Sequence, residues 1–173
     1  MSAQPDTKQI AALLATLPEI LRAEFAALDE NALGWHPAPG EWCAKEVLGH
    51  IIEADRRGFA GRVRQFLEED NPQCIAWDPH LVAAEREDCN RAASDLLDEF
   101  AAMRASDVST VLALQSEQLS RSGTHPAVGT VQISDLLFEW IHHDQNHVKQ
   151  IMSNIQEYVW PYMGNAQKFS QID

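Results

Sequence analysis

The sequence predicts an all-α fold, a four-helix bundle, on three observations. Four long segments place apolar residues at three- and four-residue steps, the period of an amphipathic helix. No segment alternates apolar and polar residues as a half-buried strand does. The connections are of modest length for a bundle, apart from the last.

The first helix is expected over 7–29, rich in Ala, Leu and Glu. Pro18 removes a backbone donor there and predicts a break or kink near Leu17. Residues 34–42 hold two glycines, two prolines and two tryptophans, and read as a rigid turn packing Trp35 and Trp42 against the bundle. The second helix is expected over 42–69, with Val47, Leu48, Ile51, Ile52, Phe59, Val63 and Phe66 on its stripe; Asn71-Pro72 ends it. Asp78-Pro79 supplies the N-cap and first position of a short helix. The third long helix covers 88–114, marked by Leu96, Leu97, Phe100, Met103, Val111 and Leu114, with Ser106-Asp107 as a point of interruption. Residues 116–130 are polar and read as a long ordered loop. The fourth helix is expected over 133–158 on the stripe Ile133, Leu137, Trp140, Ile141, Val148, Ile151 and Ile155, and Pro161 and Gly164 stop it.

The totals narrow the function. A chain of 173 residues fits one domain over 1–173, with 45% hydrophobic residues for its core. Acidic residues outnumber basic ones 26 to 13, a net charge of −13 with no basic footprint, so no nucleic-acid partner is expected. No apolar run approaches the ~20 residues that span a bilayer. The first residues show no basic-then-apolar leader. A cytoplasmic protein without a membrane partner is expected. Cys43, Cys74 and Cys89 are odd in number and form no Cys-x-x-Cys pair. That argues against a disulfide framework and a cysteine zinc site, and reduced packing cysteines are expected.

The chemistry lies in the histidines. His143 and His147 are four apart in a helical stretch, with β-carbons about 5–6 Å apart on one face. Leu136, Trp140, His143, His147 and Ile151 share that face. Buried imidazoles need partners, since an unpaired polar group costs about 1–3 kcal/mol. One metal ion satisfies both; backbone or water partners do so too. His50, beside Val47, Ile51 and Ala54, is the candidate third ligand from another helix. Three imidazoles leave positions for water and substrate, and the bound ion lowers the pKa of water towards about 7 or coordinates a thiolate. Cys43 lies seven residues before His50, about 10 Å along one helix, and cannot reach the same ion. Glu53 and Glu139, each one turn from a candidate ligand, can orient it or shuttle protons, or be plain surface charges. Asp144 points about 100° away from His143 and suits a structural contact. A His-Glu-x-x-His protease is disfavoured because Asp144 stands where the general base would be and no histidine follows His147.

Three motifs in this order resemble the DinB-like superfamily of metal-binding four-helix proteins, over about 17–151. Trp35-His36-Pro37-Ala38-Pro39-Gly40-Glu41-Trp42-Cys43 is similar to the family's Trp-x-Pro-x-Pro-Gly-Glu-Trp-Ser block, which leads into the helix bearing a metal histidine. Gly123-Thr124-His125-Pro126 and His143-Asp144-Gln145-Asn146-His147-Val148-Lys149-Gln150-Ile151 follow, the latter like the family's His-Asp-x-x-His-x-x-Gln-Ile ending. Cys43 replaces the Ser that caps the helix in many relatives, and a thiol caps weakly.

The resemblance implies His50, His143 and His147 as ligands of one divalent ion, Zn, Ni, Fe or Co. It also implies a small-molecule substrate and a possible homodimer, to which the apolar residues 160–163 would contribute. Characterised relatives use low-molecular-weight thiols, as in mycothiol-dependent maleylpyruvate isomerase and bacillithiol-type S-transferases. Thiol activation for transfer to an electrophile is therefore the leading expectation. Metal-dependent hydrolysis, with hydroxide as nucleophile, and a non-enzymatic metal-binding stress-response module are the alternatives. The loop over 121–129 is expected to cover the pocket. Arg121, His125 and Glu53 are the candidate substrate contacts, and ordering beside Pro126 is the other reading of His125.

Overall fold

In the computed structural model, which describes residues 6–171, α1 (Thr7–Ala26) starts at Asp6, whose carboxylate accepts the Gln9 N–H at 2.9 Å. The ends of the expected domain, 1–5 and 172–173, lie outside the described residues. The expected break at Pro18 is absent: α1 is one continuous helix with Pro18 buried in it. Proline lacks the N–H that would bond the Leu14 carbonyl four residues back. Arg104 Nη1 donates to that carbonyl instead, at 3.2 Å, so the acceptor freed by the proline is not left empty.

A short α2 (Glu30–Leu33) leads to the proline-rich turn. The expected second helix is two helices, α3 (Ala44–Glu53) and α4 (Ala60–Glu68), joined by a π turn over Ala54–Gly58. The turn is closed by the Phe59 N–H donating to the Ala54 carbonyl at 2.8 Å. A π turn inserts one residue into the helical path and marks functional sites more often than ordinary helix does. The short α5 (Pro79–Arg86) has Asp78 as its cap, as expected. α6 (Ala93–Ala113) starts later than expected, because Asp88–Asn90 form a separate 3-10 turn. Ser106-Asp107 does not interrupt α6: the Asp107 carboxylate turns inward and accepts from Arg64 at 2.9 Å.

The polar loop is the main departure from an all-helical reading. After a 3-10 turn (Ser116–Ser120), β1 (Ser122–His125) and β2 (Gly129–Gln132) form an antiparallel hairpin, Ser122 opposite Gln132 and His125 opposite Gly129. The Cys74 N–H donates to the Thr124 carbonyl and the Thr124 N–H to the Pro72 carbonyl, both at 2.8 Å. These bonds fasten the hairpin to the segment after α4. α7 (Ile133–Val159) is the last long helix, and 3-10 turns over Trp160–Tyr162 and Gly164–Gln171 follow. Trp160 and Tyr162 are 39% and 80% exposed. No helix among the described residues is long and apolar enough to cross a membrane.

α1, α6, α7 and the broken α3–α4 rod make up the four-helix bundle. Their buried faces form two apolar clusters, one around Leu14, Phe66, Leu137 and Trp140, the other around Leu17, Leu48, Phe100 and Ile151. Between them lies a charged layer. Arg104, 1% exposed, donates to Asp55 Oδ2 at 2.8 Å and Oδ1 at 3.0 Å, and to Asp144 Oδ2 at 2.6 Å and Oδ1 at 3.2 Å. Trp140 Nε1 adds a bond to Asp55 Oδ1 at 2.6 Å. Burial pushes both carboxyls up from their ordinary range, and the guanidinium opposes that shift. Removing one partner from such a pair costs about 3–5 kcal/mol, because the other charge is left buried and alone.

The cysteines correct the sequence reading. Cys43, fully buried at the start of α3, is disulfide-bonded to Cys89 in the turn after α5, and only Cys74 is free. The partners are 46 residues apart in the chain. Their meeting depends on how the Asp88 turn packs on α3, which spacing does not reveal.

Candidate metal centre

Two helices build the site. His50 sits near the end of α3, and His143 and His147 follow each other on the inner edge of α7. Each has one side-chain nitrogen within 4.8 Å of one on each of the others, and the group contains no carboxylate. The Nε2 atoms of His50 and His143 are 3.1 Å apart, and the ring centroids of His50–His147 and His143–His147 are 4.5 and 4.4 Å apart. His147 Nδ1 faces Gln150 Oε1 at 2.8 Å. A carboxamide oxygen only accepts, so Nδ1 carries the hydrogen and Nε2 keeps its lone pair. Gln150 thus fixes one ligand tautomer as the outer partners of metal-bound histidines do.

Burial pushes all three rings towards the neutral form. Burial, then His147 and His80, push His50 down to about 4. Burial, then His147 and His50, push His143 down to about 3. Burial lowers His147 as well, against the opposing hydrogen bond to Gln150. Nδ1 of His50 and of His143 are buried without a hydrogen-bond partner. Neutral imidazoles crowded at this distance share one proton at most between facing lone pairs. A divalent transition ion takes those lone pairs together, so the donor set fits a metal.

Aromatic faces surround the group: Phe59 against His143 at 5.0 Å, Trp42 and Trp77 against His50 at 4.9 and 5.8 Å, and His80 against Trp42 at 5.1 Å. Asp144, next to His143, turns away into the Arg104 layer. That layer was not foreseen, yet it left a trace. Asp55, Arg104 and Asp144 each stand four residues after a buried stripe residue, Ile51, Phe100 and Trp140, so each continues an apolar face with a charge.

The three candidate substrate contacts do not gather at the triad. Glu53 is 2% exposed and receives Arg57 Nε at 2.6 Å, Arg86 Nη1 at 2.9 Å and Arg56. Burial raises its pKa but these guanidiniums win, and the net shift is downward. Arg121 Nη2 donates to the Glu69 carbonyl at 2.9 Å, and its Nε to that of Phe66, holding the hairpin to the end of α4. His125 lines a cavity of ≈ 500 Å³ with Phe59, Arg62, Cys74 and Leu136. Phe59 also touches His143, so this cavity adjoins the triad.

Comparison with known proteins gives the family and the fold. The family model described as the DinB superfamily matches residues 13–151. The fold is similar to the solved structure of YfiT from Bacillus subtilis, described as a probable metal-dependent hydrolase with an unusual four-helix bundle topology. The TM-score is 0.79 at 16% identity, covering 95% of this chain and 92% of that one. No curated protein matches the chain.

Proposed function

We propose, on the premise that this chain belongs to the DinB superfamily, that it is a metal-dependent enzyme activating a low-molecular-weight thiol for transfer to an electrophile. The observation that carries the reading is the group of three imidazoles within ligating distance of one another, with no carboxylate among them. A divalent ion held by His50, His143 and His147 supplies positive charge that favours the ionised form of a nucleophile beside it. The chain contributes orientation and a dry wall. Gln150 holds His147 in the ligating tautomer, and Trp42, Trp77 and Phe59 present apolar faces to a thiol or its electrophile. The adjoining cavity, with His125 and Arg62 in its lining, is the proposed seat of the electrophile.

The apolar lining favours a thiol over water. Of the acidic residues one turn or less from a ligand, Glu53 and Asp144 are already bound to arginines and poorly placed to take a proton, while Glu139 lines the adjoining cavity. A thiol with a pKa of about 8.5 ionises beside a divalent ion without a strong base, and so would water whose pKa the ion lowers towards about 7; what favours the thiol is the apolar wall of Trp42, Trp77 and Phe59. Hydrolysis at the same centre is the second reading, supported by the fold shared with YfiT.

The test combines elemental analysis with turnover. Purified protein should carry one divalent transition ion per chain, and His147→Ala should lose it together with at least about a 100-fold fall in thiol conjugation to a chloronitroarene. With Cys43→Ser and Cys89→Ser combined, added thiol should bring thiolate-to-metal absorption to the cobalt-loaded protein. Silence with several thiols, together with metal-dependent cleavage of esters or amides, would replace this reading with the hydrolytic one.

A further inference from the structure

We propose that Cys43, Cys89, His36 and Glu46 form a second metal site of the zinc type, available when the two cysteines are reduced and closed when they are joined. The four residues come from three places in the fold: the proline-rich turn, the first turn of α3, and the 3-10 turn at Asp88–Asn90. Each offers a donor atom, and the four donors lie within 4.8 Å of one another. They share no residue with the triad. Two sulfurs, one imidazole nitrogen and one carboxylate oxygen are four ligands of the types that zinc takes in tetrahedral sites.

The histidine is already prepared. His36 Nδ1 lies 2.8 Å from the Glu41 carbonyl, which can only accept, so Nδ1 holds the hydrogen and Nε2 presents its lone pair. That lone pair faces Cys89 Sγ at 3.5 Å. A ring nitrogen tied to a backbone carbonyl, with the opposite nitrogen aimed at a sulfur, is the arrangement by which proteins orient a metal-binding histidine. Cys43 occupies the N-cap of the ten-residue α3, where the helix dipole favours negative charge. Glu46 Oε2 accepts the Cys43 N–H at 2.9 Å and lies 3.5 Å from His36 Nδ1, so it borders both neighbours and retains free lone pairs. A purely structural disulfide requires none of these side chains around it.

The exchange between the two states balances with a low-molecular-weight thiol as reductant. Two molecules of RSH reduce the Cys43–Cys89 bond, forming RSSR and leaving two protein thiols. Zinc binding then releases their two protons, because the ligating form is the thiolate. In the reverse direction a disulfide oxidant takes the electrons, the Cys43–Cys89 bond forms, and the ion departs.

Cobalt serves as the probe, since thiolate coordination gives it an absorption that imidazoles alone do not. Oxidised wild-type protein should bind one cobalt per chain, without that absorption. After treatment with a phosphine reductant, thiol titration should rise from one to three and a second cobalt should bind with thiolate-to-metal absorption. Cys43→Ser, which keeps a capping side chain at the start of α3, and Cys89→Ser should each abolish the second ion and leave the first. His36→Ala should weaken the second by at least about tenfold. His143→Ala should lose the first and keep the second. Reduced wild-type protein that binds no more cobalt than oxidised protein would overturn the proposal and leave the bond as a simple staple. So would a disulfide that the reductant cannot open in the folded protein, or a second ion that survives Cys89→Ser.

Discussion

At the triad, burial sets the acid behaviour of the metal-free protein. His50 is pushed down to about 4 and His143 to about 3, and His147 is lowered too. Between about pH 6.5 and those values the unfolded chain takes up protons that the folded triad refuses, so unfolding gains on acidification. Stability is therefore full above about pH 6.5 and falls as the pH drops towards 4, by roughly 1–2 kcal/mol for each of His50 and His143 near pH 5. Denaturant unfolding of chelated protein at the two pH values checks this. A variant lacking His50 and His143 that loses as much stability would place the sensitivity elsewhere. These residues were legible because ligands four apart leave a pattern in the chain. The partners that control them were harder to see. Gln150 is one polar residue among many on α7, and the fate of the Glu53 carboxylate depends on three arginines, one of them 33 residues away.

One face of α3 lies hard against the turn that follows α5. Gly49 lies where the Asp88 carboxylate meets the helix, and a Cβ there would overlap it. Asp88 cannot simply swing aside, because Arg86 Nε holds it at 2.6 Å and Arg91 Nη1 at 3.0 Å. Gly49→Ala should therefore destabilise the protein by about 1–3 kcal/mol. It should also weaken metal binding, since His50 is the next residue. Thermal unfolding and a metal-competition titration read the two effects, and an unchanged melting temperature would refute the close approach. The long helices were visible from periodicity, because one buried stripe is enough to show a helix. Their interruptions were not. Pro18 is tolerated through Arg104, and the π turn is a local geometry with no residue code of its own. The hairpin escaped because its strands are four residues each and mostly polar, so no alternation could develop. What holds it is contact at a distance: a Cβ on Gly123 would run into the Phe66 ring.

For the molecule as a whole, the core makes no use of a metal. Two apolar clusters, the Arg104 layer and a disulfide hold the bundle without it. Chelation should leave the far-ultraviolet helical signal intact. It should lower the melting temperature by the binding contribution alone, about 2.7 kcal/mol at a free metal concentration 100 times Kd, or roughly 5–10 °C. Calorimetry with and without chelator measures it, and loss of helix on chelation would make the ion a structural component.

The charged layer has one more consequence, for the vertical alignment of the helices. Apolar stripes built from Leu, Ile and Phe look much alike one turn up or down, so a bundle packed by them alone is weakly indexed along its axis. Arg104 on α6 meets the Leu14 carbonyl on α1, Asp55 in the π turn and Asp144 on α7 at a single level. A slip of one turn, 5.4 Å, on any of these would strand a charge or an empty carbonyl in the core. Because Asp144 directly follows His143, and Asp55 comes five residues after His50, the same pin that indexes the rods also keeps the two ligand-bearing helices level with each other.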